Sequence, residues 1–116
     1  LTQAGDNAIL GSGTVHHVAF RAPDDETQAA WGDALADLGI FVTEQKDRQY
    51  FRSTYFREPG GVLFEIATDE PGFATDEDVE ALGSTLQLPP WLEDDRDSVT
   101  AQLEPLDLEQ SLEGKA

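Results

Sequence analysis

Residues 14–68 hold one amphipathic helix bracketed by short β-rich runs, and that order restricts the fold more than any other feature of the sequence. Residues 14–21 (TVHHVAFR) are rich in strand formers. Pro23 and Asp24 stop that strand and prepare a helix N-terminus. From Asp25 onward the apolar residues Trp31, Ala34, Leu35 and Leu38 recur at i, i+3, i+4 and i+7, the spacing of one helical face, and Gly39 closes the helix as a C-cap. Three short strands are expected next, over residues 40–44, 50–57 and 62–68, the last two joined by a Pro59-Gly60-Gly61 turn. The fold class is therefore α+β, a β-α-β-β-β module. A helical crossover brings the second strand back parallel to the first. Two reversals then leave the fourth strand parallel to the first as well, so these two can be neighbours.

The period of two along a strand assigns faces. Val18 and Phe20 share one face of the first strand, and Val62, Phe64 and Ile66 share one face of the last; all five suit packing beneath the Trp31/Leu35/Leu38 side of the helix. The opposite face then carries His17 and Glu65, 48 residues apart in sequence but on adjacent strands. By the same alternation His16 points to the helix side. Glu65 lies between Phe64 and Ile66, where an unpaired carboxylate is costly once covered. A metal ion would resolve that cost. A neutral imidazole and a carboxylate, joined by one further histidine, make the facial triad of a non-haem Fe(II) centre with open positions. Mn(II), Zn(II), Ni(II) or Co(II) suits similar ligands, so the donor types alone do not choose the ion.

The flanks differ from this module. Residues 1–13 have no sustained period, end in Gly-Ser-Gly and read as a linker or docking segment. Residues 69–116 form an acidic C-terminal extension: a short helix over 76–82, an apolar strap over 86–92 that buries Trp91, a helix over 94–103, and a frayed end after Pro105. The whole chain of 116 residues carries 24 acidic against 7 basic side chains, a net charge of −17. Fourteen of the acids and two of the bases lie in residues 69–116. That balance argues against nucleic acid and anionic lipid as partners, both of which need clustered Lys and Arg. It fits either an acidic domain with a solvated tail or a chain adapted to high salt. With no Cys there is no disulfide, thiolate ligand or cysteine nucleophile, and no run approaches a membrane span; the expected compartment is cytoplasmic. The absence of Met suggests a fragment or processed chain.

Three segments together, GTVHHVAFR, DRQYFRSTYFREPGGVLFEIATDEPGF and LGSTLQLPPWLEDDR, resemble the C-terminal part of ring-cleaving dioxygenases of the vicinal oxygen chelate (glyoxalase/bleomycin resistance/dioxygenase) superfamily, in the hydroquinone 1,2-dioxygenase-like branch. The likeness covers roughly residues 13–106. It implies paired β-α-β-β-β modules whose curved sheet, in strand order 1-4-3-2, cups a metal ion. Carried over by position, it implies His17 and Glu65 as iron ligands. His16, Arg48 and Tyr55 then fall at catalytic positions that orient substrate or stabilise charge. The implied reaction inserts oxygen into an aromatic diol of hydroquinone or catechol type, with dioxygen as co-substrate and Fe(II) as cofactor. The family's third ligand, a histidine of the preceding module, has no counterpart, because His16 and His17 are the only histidines. A missing N-terminal module or a second copy is therefore the expected partner covering the sheet. Two other functions use the same scaffold: a glyoxalase-type lyase or isomerase with another divalent ion, and a metal-free small-molecule (antibiotic) binding module acting as a dimer. Without their fuller context, Arg48 is a loop charge and Tyr55 a core aromatic.

Overall fold

The computed structural model describes residues 9–105. The chain divides into two compact units, one ending at Gly72 and the other beginning at Phe73. The first contains strand β1 (Val18–Ala22), helix α1 (Asp25–Asp37) and strands β2 (Lys46–Asp47), β3 (Phe51–Arg57) and β4 (Leu63–Pro71). They form one four-stranded sheet in the order β1-β4-β3-β2, with β1 and β4 parallel and the other pairs antiparallel. This is the adjacency of first and last strands that the crossover argument allows.

Helix α1 begins and ends on local chemistry. Asp24 Oδ1 accepts a hydrogen bond from the Thr27 backbone N–H at 2.7 Å, satisfying one donor of the first turn. At the other end Gly39 has φ of 79°, Ile40 N–H donates to Leu35 O at 3.1 Å, and Gly39 N–H donates to Ala36 O at 2.9 Å. That pair of bonds is a Schellman closure, which requires a residue tolerant of left-handed backbone. On the helix side of the sheet, Trp31, Leu35 and Leu38 face Phe20, Phe56 and Ile66, as the period predicts. Phe64 makes edge contacts with both Phe20 and Phe56.

Two strands differ from expectation. Strand β1 starts at Val18 rather than Thr14, because its hydrogen bonds come from β4, and the first register pair, Val18 with Phe64, lies one residue inside the start of that partner. Residues 11–14 instead close a turn, with Thr14 Oγ1 and Gly11 bonded to each other. The strand expected over 40–44 is reduced to a single bridge between Val42 and Phe56. There Tyr55 N–H donates to the Thr43 hydroxyl at 3.0 Å, a side-chain acceptor in place of a ladder carbonyl, and pairing resumes only at Lys46. Val62 also falls just outside β4, which runs on to Pro71.

Most of the buried residues are polar. Among the described residues Ala22 and Ile66 are the buried apolar ones, beside Gln28, Ser53, Thr54, Glu65 and Thr68. Gln28 repairs an irregularity in β3: the register shifts between Phe51 and Ser53, and Gln28 Nε2 donates to Arg52 O at 3.0 Å and to Ile66 O at 2.7 Å. Thr68 Oγ1 accepts from Arg52 N–H at 2.9 Å, so side chains complete what the ladder leaves open.

The second unit contains short 3-10 turns at Phe73–Thr75, Val79–Ala81 and Pro90–Asp95, followed by helix α2 (Arg96–Gln102). The helix expected over 76–82 is thus one 3-10 turn, and that over 94–103 begins only after the Pro90 turn. Trp91 is 75% exposed, contrary to the expected burial. Pro89 and Pro90 hold its segment in extended and 3-10 backbone, and Arg96 anchors the turn through Glu93 and Leu86 O. The linker expected over residues 1–13 lies outside the described residues as far as residue 8, as does the end expected to fray beyond Pro105.

Candidate functional site

The helix-free face of β1, β3 and β4 gathers five sequence-predicted residues and one that prediction missed. Glu65 is the centre. It lies in β4 opposite Tyr55 of β3 and Ala19 of β1, and is 4% exposed. His17, just before β1, places Nε2 at 3.0 Å from Glu65 Oε2. The other carboxylate oxygen is occupied: Ser53 Oγ and Tyr55 OH both donate to Oε1, the latter at 3.2 Å. The carboxylate is therefore divided, Oε1 toward β3 and Oε2 toward the imidazole.

The hydrogen bonds continue outward in both directions. Arg48, from the β2–β3 turn, donates from Nε to Tyr55 OH at 3.0 Å, and its guanidinium lies 5.4 Å from the Tyr55 ring centroid. Such stacking suits a planar delocalised cation. The loop charge Arg48 and the strand aromatic Tyr55 are thus in direct contact. On the other side His16 Nδ1 lies 3.0 Å from His17 Nδ1, with the two rings edge to face. This corrects the placement of His16 on the helix side: alternation applies within a strand, and β1 begins two residues later. Proton positions follow from the partners. With His17 Nε2–H donating to the carboxylate, neutral His17 accepts at Nδ1 from His16 Nδ1–H.

Ser53 was legible in principle. Tyr55 and Ser53 are two apart on β3, so they share a face, and Glu65 pairs with Tyr55. A serine in a strand carries no signal of its own, however, until its partner strand and register are known. The bidentate Arg21–Asp69 pair, with both bonds at 2.6 Å, ties the later part of β1 to β4. Arg21 holds the Asp69 carboxyl below its ordinary range, chiefly through that hydrogen bond.

A nitrogen and an oxygen each about 2.1 Å from one ion and at right angles would be about 3.0 Å apart. His17 Nε2 and Glu65 Oε2 have that separation, and Oε1 is already engaged. The pair fits two adjacent positions of an N/O site. Among the described residues no group of three or more His, Asp or Glu converges, so these two are the donors this face supplies.

The sequence profile of the glyoxalase/bleomycin resistance protein/dioxygenase superfamily matches residues 2–66. A Bacillus subtilis protein named "Putative ring-cleaving dioxygenase MhqE" is 55% identical over 92 residues, which are 79% of this chain and 30% of the relative. The chlorohydroquinone/hydroquinone 1,2-dioxygenase of Sphingobium indicum is 45% identical over 91 residues, 78% of this chain and 28% of that protein. A crystal structure titled as a putative dioxygenase from Bacillus subtilis superposes with a TM-score of 0.76 at 50% identity, covering 84% of this chain and 32% of the other. The chain spans about 30% of the length of the curated relatives it matches. Strand order, parallel closure of β1 on β4 and these matches agree: the chain belongs to the glyoxalase/bleomycin resistance protein/dioxygenase superfamily.

Proposed function

We propose that this chain supplies part of the metal-binding face of a ring-cleaving dioxygenase acting on an aromatic diol of hydroquinone or catechol type. One observation carries the reading: His17 Nε2 and the buried Glu65 Oε2 converge at 3.0 Å on the helix-free face, with the second carboxylate oxygen held elsewhere. A structural carboxylate in a β-strand gains nothing from such an arrangement that a neutral residue would not give more cheaply. The relatives named as ring-cleaving and hydroquinone dioxygenases support the reaction class.

In this reading His17 and Glu65 hold Fe(II), with Mn(II), Zn(II), Ni(II) and Co(II) as alternative occupants, and a third donor comes from a preceding module or a second copy covering the sheet. The ion, when bound, supplies a positive centre with open positions for a diol and dioxygen. Ser53 and Tyr55 fix the Glu65 carboxylate so that it binds through one oxygen. His16 orients the His17 ring through Nδ1, the outer contact that metal-bound imidazoles usually require. The guanidinium nitrogens of Arg48 beyond Nε have no partner among the described residues and stabilise negative charge developing on the substrate.

The test is oxygen uptake by the whole protein that carries this chain, supplied with iron and with hydroquinone or catechol. The expected result is stoichiometric oxygen consumption with loss of the aromatic absorbance, abolished in His17→Ala. Diol binding without oxygen consumption would overturn the reading and favour a binding module. Isomerisation or lyase turnover without oxygen would favour a glyoxalase-type enzyme.

A further inference from the structure

On the helix side of the sheet, Phe20, Trp31, Leu35, Leu38, Phe56 and Ile66 line an apolar groove of about 310 Å³. No charged side chain lines it among the described residues. Only Ile66 in it is buried, and much of the rest faces solvent. Val18, which shares the face of Phe20 by strand alternation, and Phe20, Trp31 and Leu38 are between 39% and 76% exposed. With the half-buried Leu35 and Phe56 they leave about 400 Å² of apolar surface in contact with water. At an apolar share of about 57–65%, an interface built on that patch covers about 600–700 Å² of each copy. Twice that area lies in the lower half of the standard range for specific complexes, about 1,200–2,000 Å² in total.

The shape and charge of the patch favour a second copy of this chain over other occupants. A charged peptide finds no counter-charge in the groove. Small-molecule sites bury about 70–90% of their ligand, whereas a ligand in this groove would leave the rim of Trp31 and Leu38 uncovered. The stripe on α1, by contrast, matches itself. Trp31, Ala34, Leu35 and Leu38 are spaced symmetrically about the 34–35 peptide bond. Two copies of α1 packed antiparallel about a two-fold axis there place Ala34, a small residue, at the crossing. Each Trp31 then meets Leu38 of the other copy, so both exposed ends of the stripe are covered at once. The helix acids are kept clear of such a contact. Asp33 lines the other flank of α1, and Asp37, one turn on, shares that flank.

We propose that two copies of this chain associate through this groove and the exposed stripe of α1, about a two-fold axis at Ala34 and Leu35. Glu65 alternates with Ile66 along β4, so the contact is on the other side of the sheet from the candidate metal ligands and does not rest on their role. The net charge of −17 on each copy opposes association over distance, and salt screens it.

Sedimentation velocity of the full 116-residue chain is the test. A monomer–dimer equilibrium with a midpoint of about 10–100 μM is expected, tighter at about 1 M KCl than at about 0.1 M. Leu38→Asp, at an exposed position that the fold does not bury, should weaken it by at least about a hundredfold, by placing a carboxylate against Trp31 of the other copy. Phe41→Asp adds the same charge at an exposed residue on the other flank of α1 and should leave the dimer unchanged beyond about twofold. With Trp91→Phe, Trp31 is the single tryptophan, and its emission should shift to the blue as the chain dimerises. A chain that stays monomeric to millimolar concentration in 1 M KCl would overturn the proposal. So would a dimer that survives Leu38→Asp, one that Phe41→Asp disrupts equally, or one that leaves Trp31 emission unmoved.

Discussion

Replacing Glu65 in two ways separates its part in the fold from its proposed part at a metal. Glu65→Ala removes the acceptor of the Ser53 hydroxyl, which is fully buried, and of the Tyr55 hydroxyl. Leaving one buried donor unsatisfied costs about 1–3 kcal/mol. One lost methylene in a buried position adds about 0.8 kcal/mol. The sum is a destabilisation of about 3 kcal/mol. Glu65→Gln keeps the shape and the acceptor oxygen for Ser53 and Tyr55, and turns an amide N–H toward His17, which can accept it at Nε2 by changing tautomer. It also removes a buried charge. Its stability should therefore lie within about 1 kcal/mol of the parent, since a hydrogen-bonded isostere restores most of what the carboxylate does. Urea unfolding, compared at constant m, measures both. If Glu65→Gln were as damaging as Glu65→Ala, the negative charge itself would be holding His17 and the strands together. The reasoning that assigns the charge to a metal would then fail.

Three further perturbations bear on the rest of the fold. Gln28→Ala removes the donor to Arg52 O and Ile66 O and the acceptor of Gln45 Nε2, one of these bonds buried and two part-buried, and at about 1 kcal/mol per hydrogen bond should lower unfolding stability by about 2–3 kcal/mol in the same assay. Acid titration followed by circular dichroism should show stability falling as pH drops below about 4.5. The carboxyls of Asp24, Asp25, Glu58 and Asp69 are held below their ordinary values, by the Thr27 backbone N–H, Arg52, the Val62 and Gly60 N–H groups, and Arg21 respectively. A carboxyl depressed by folding stabilises the fold above its unfolded value, 3.8 for Asp and 4.5 for Glu, and loses that contribution as pH falls through the folded value. Stability that stays flat down to pH 2 would contradict these contacts. Raising KCl from low concentration to about 1 M, where the Debye length shrinks to about 3 Å, should raise the thermal midpoint by screening the net charge of −17; a fall would show that the exposed ion pairs outweigh self-repulsion.

Where side-chain period, capping and topology spoke together, the sequence was legible. Helix α1, its Asp24 and Gly39 boundaries, the Pro59–Gly61 turn and the pairing of β1 with β4 all follow from local chemistry or from the crossover rule. The same alternation put His17 and Glu65 on one face. Failures occurred where a side chain replaced a backbone partner. Thr43 interrupts the expected strand over 40–44 through its hydroxyl, and nothing in its local sequence announces that. His16 was misplaced because parity was carried beyond the first residue that β4 pairs. Ser53 and Gln28 were invisible for a related reason: each matters through a partner distant in sequence, and only the register of β3 against β4 reveals it. Trp91 looked like a core residue from its apolar neighbours, yet two adjacent prolines dictate its backbone and leave the indole in solvent.

The central claim, that His17 and Glu65 ligate one ion, is tested most directly by metal content. The protein carrying this chain, purified anaerobically from iron-supplemented culture, should contain iron in fixed ratio, and both His17→Ala and Glu65→Gln should lose it while remaining folded. Iron retained at the parental ratio in either folded variant would show that the residue replaced is not a ligand.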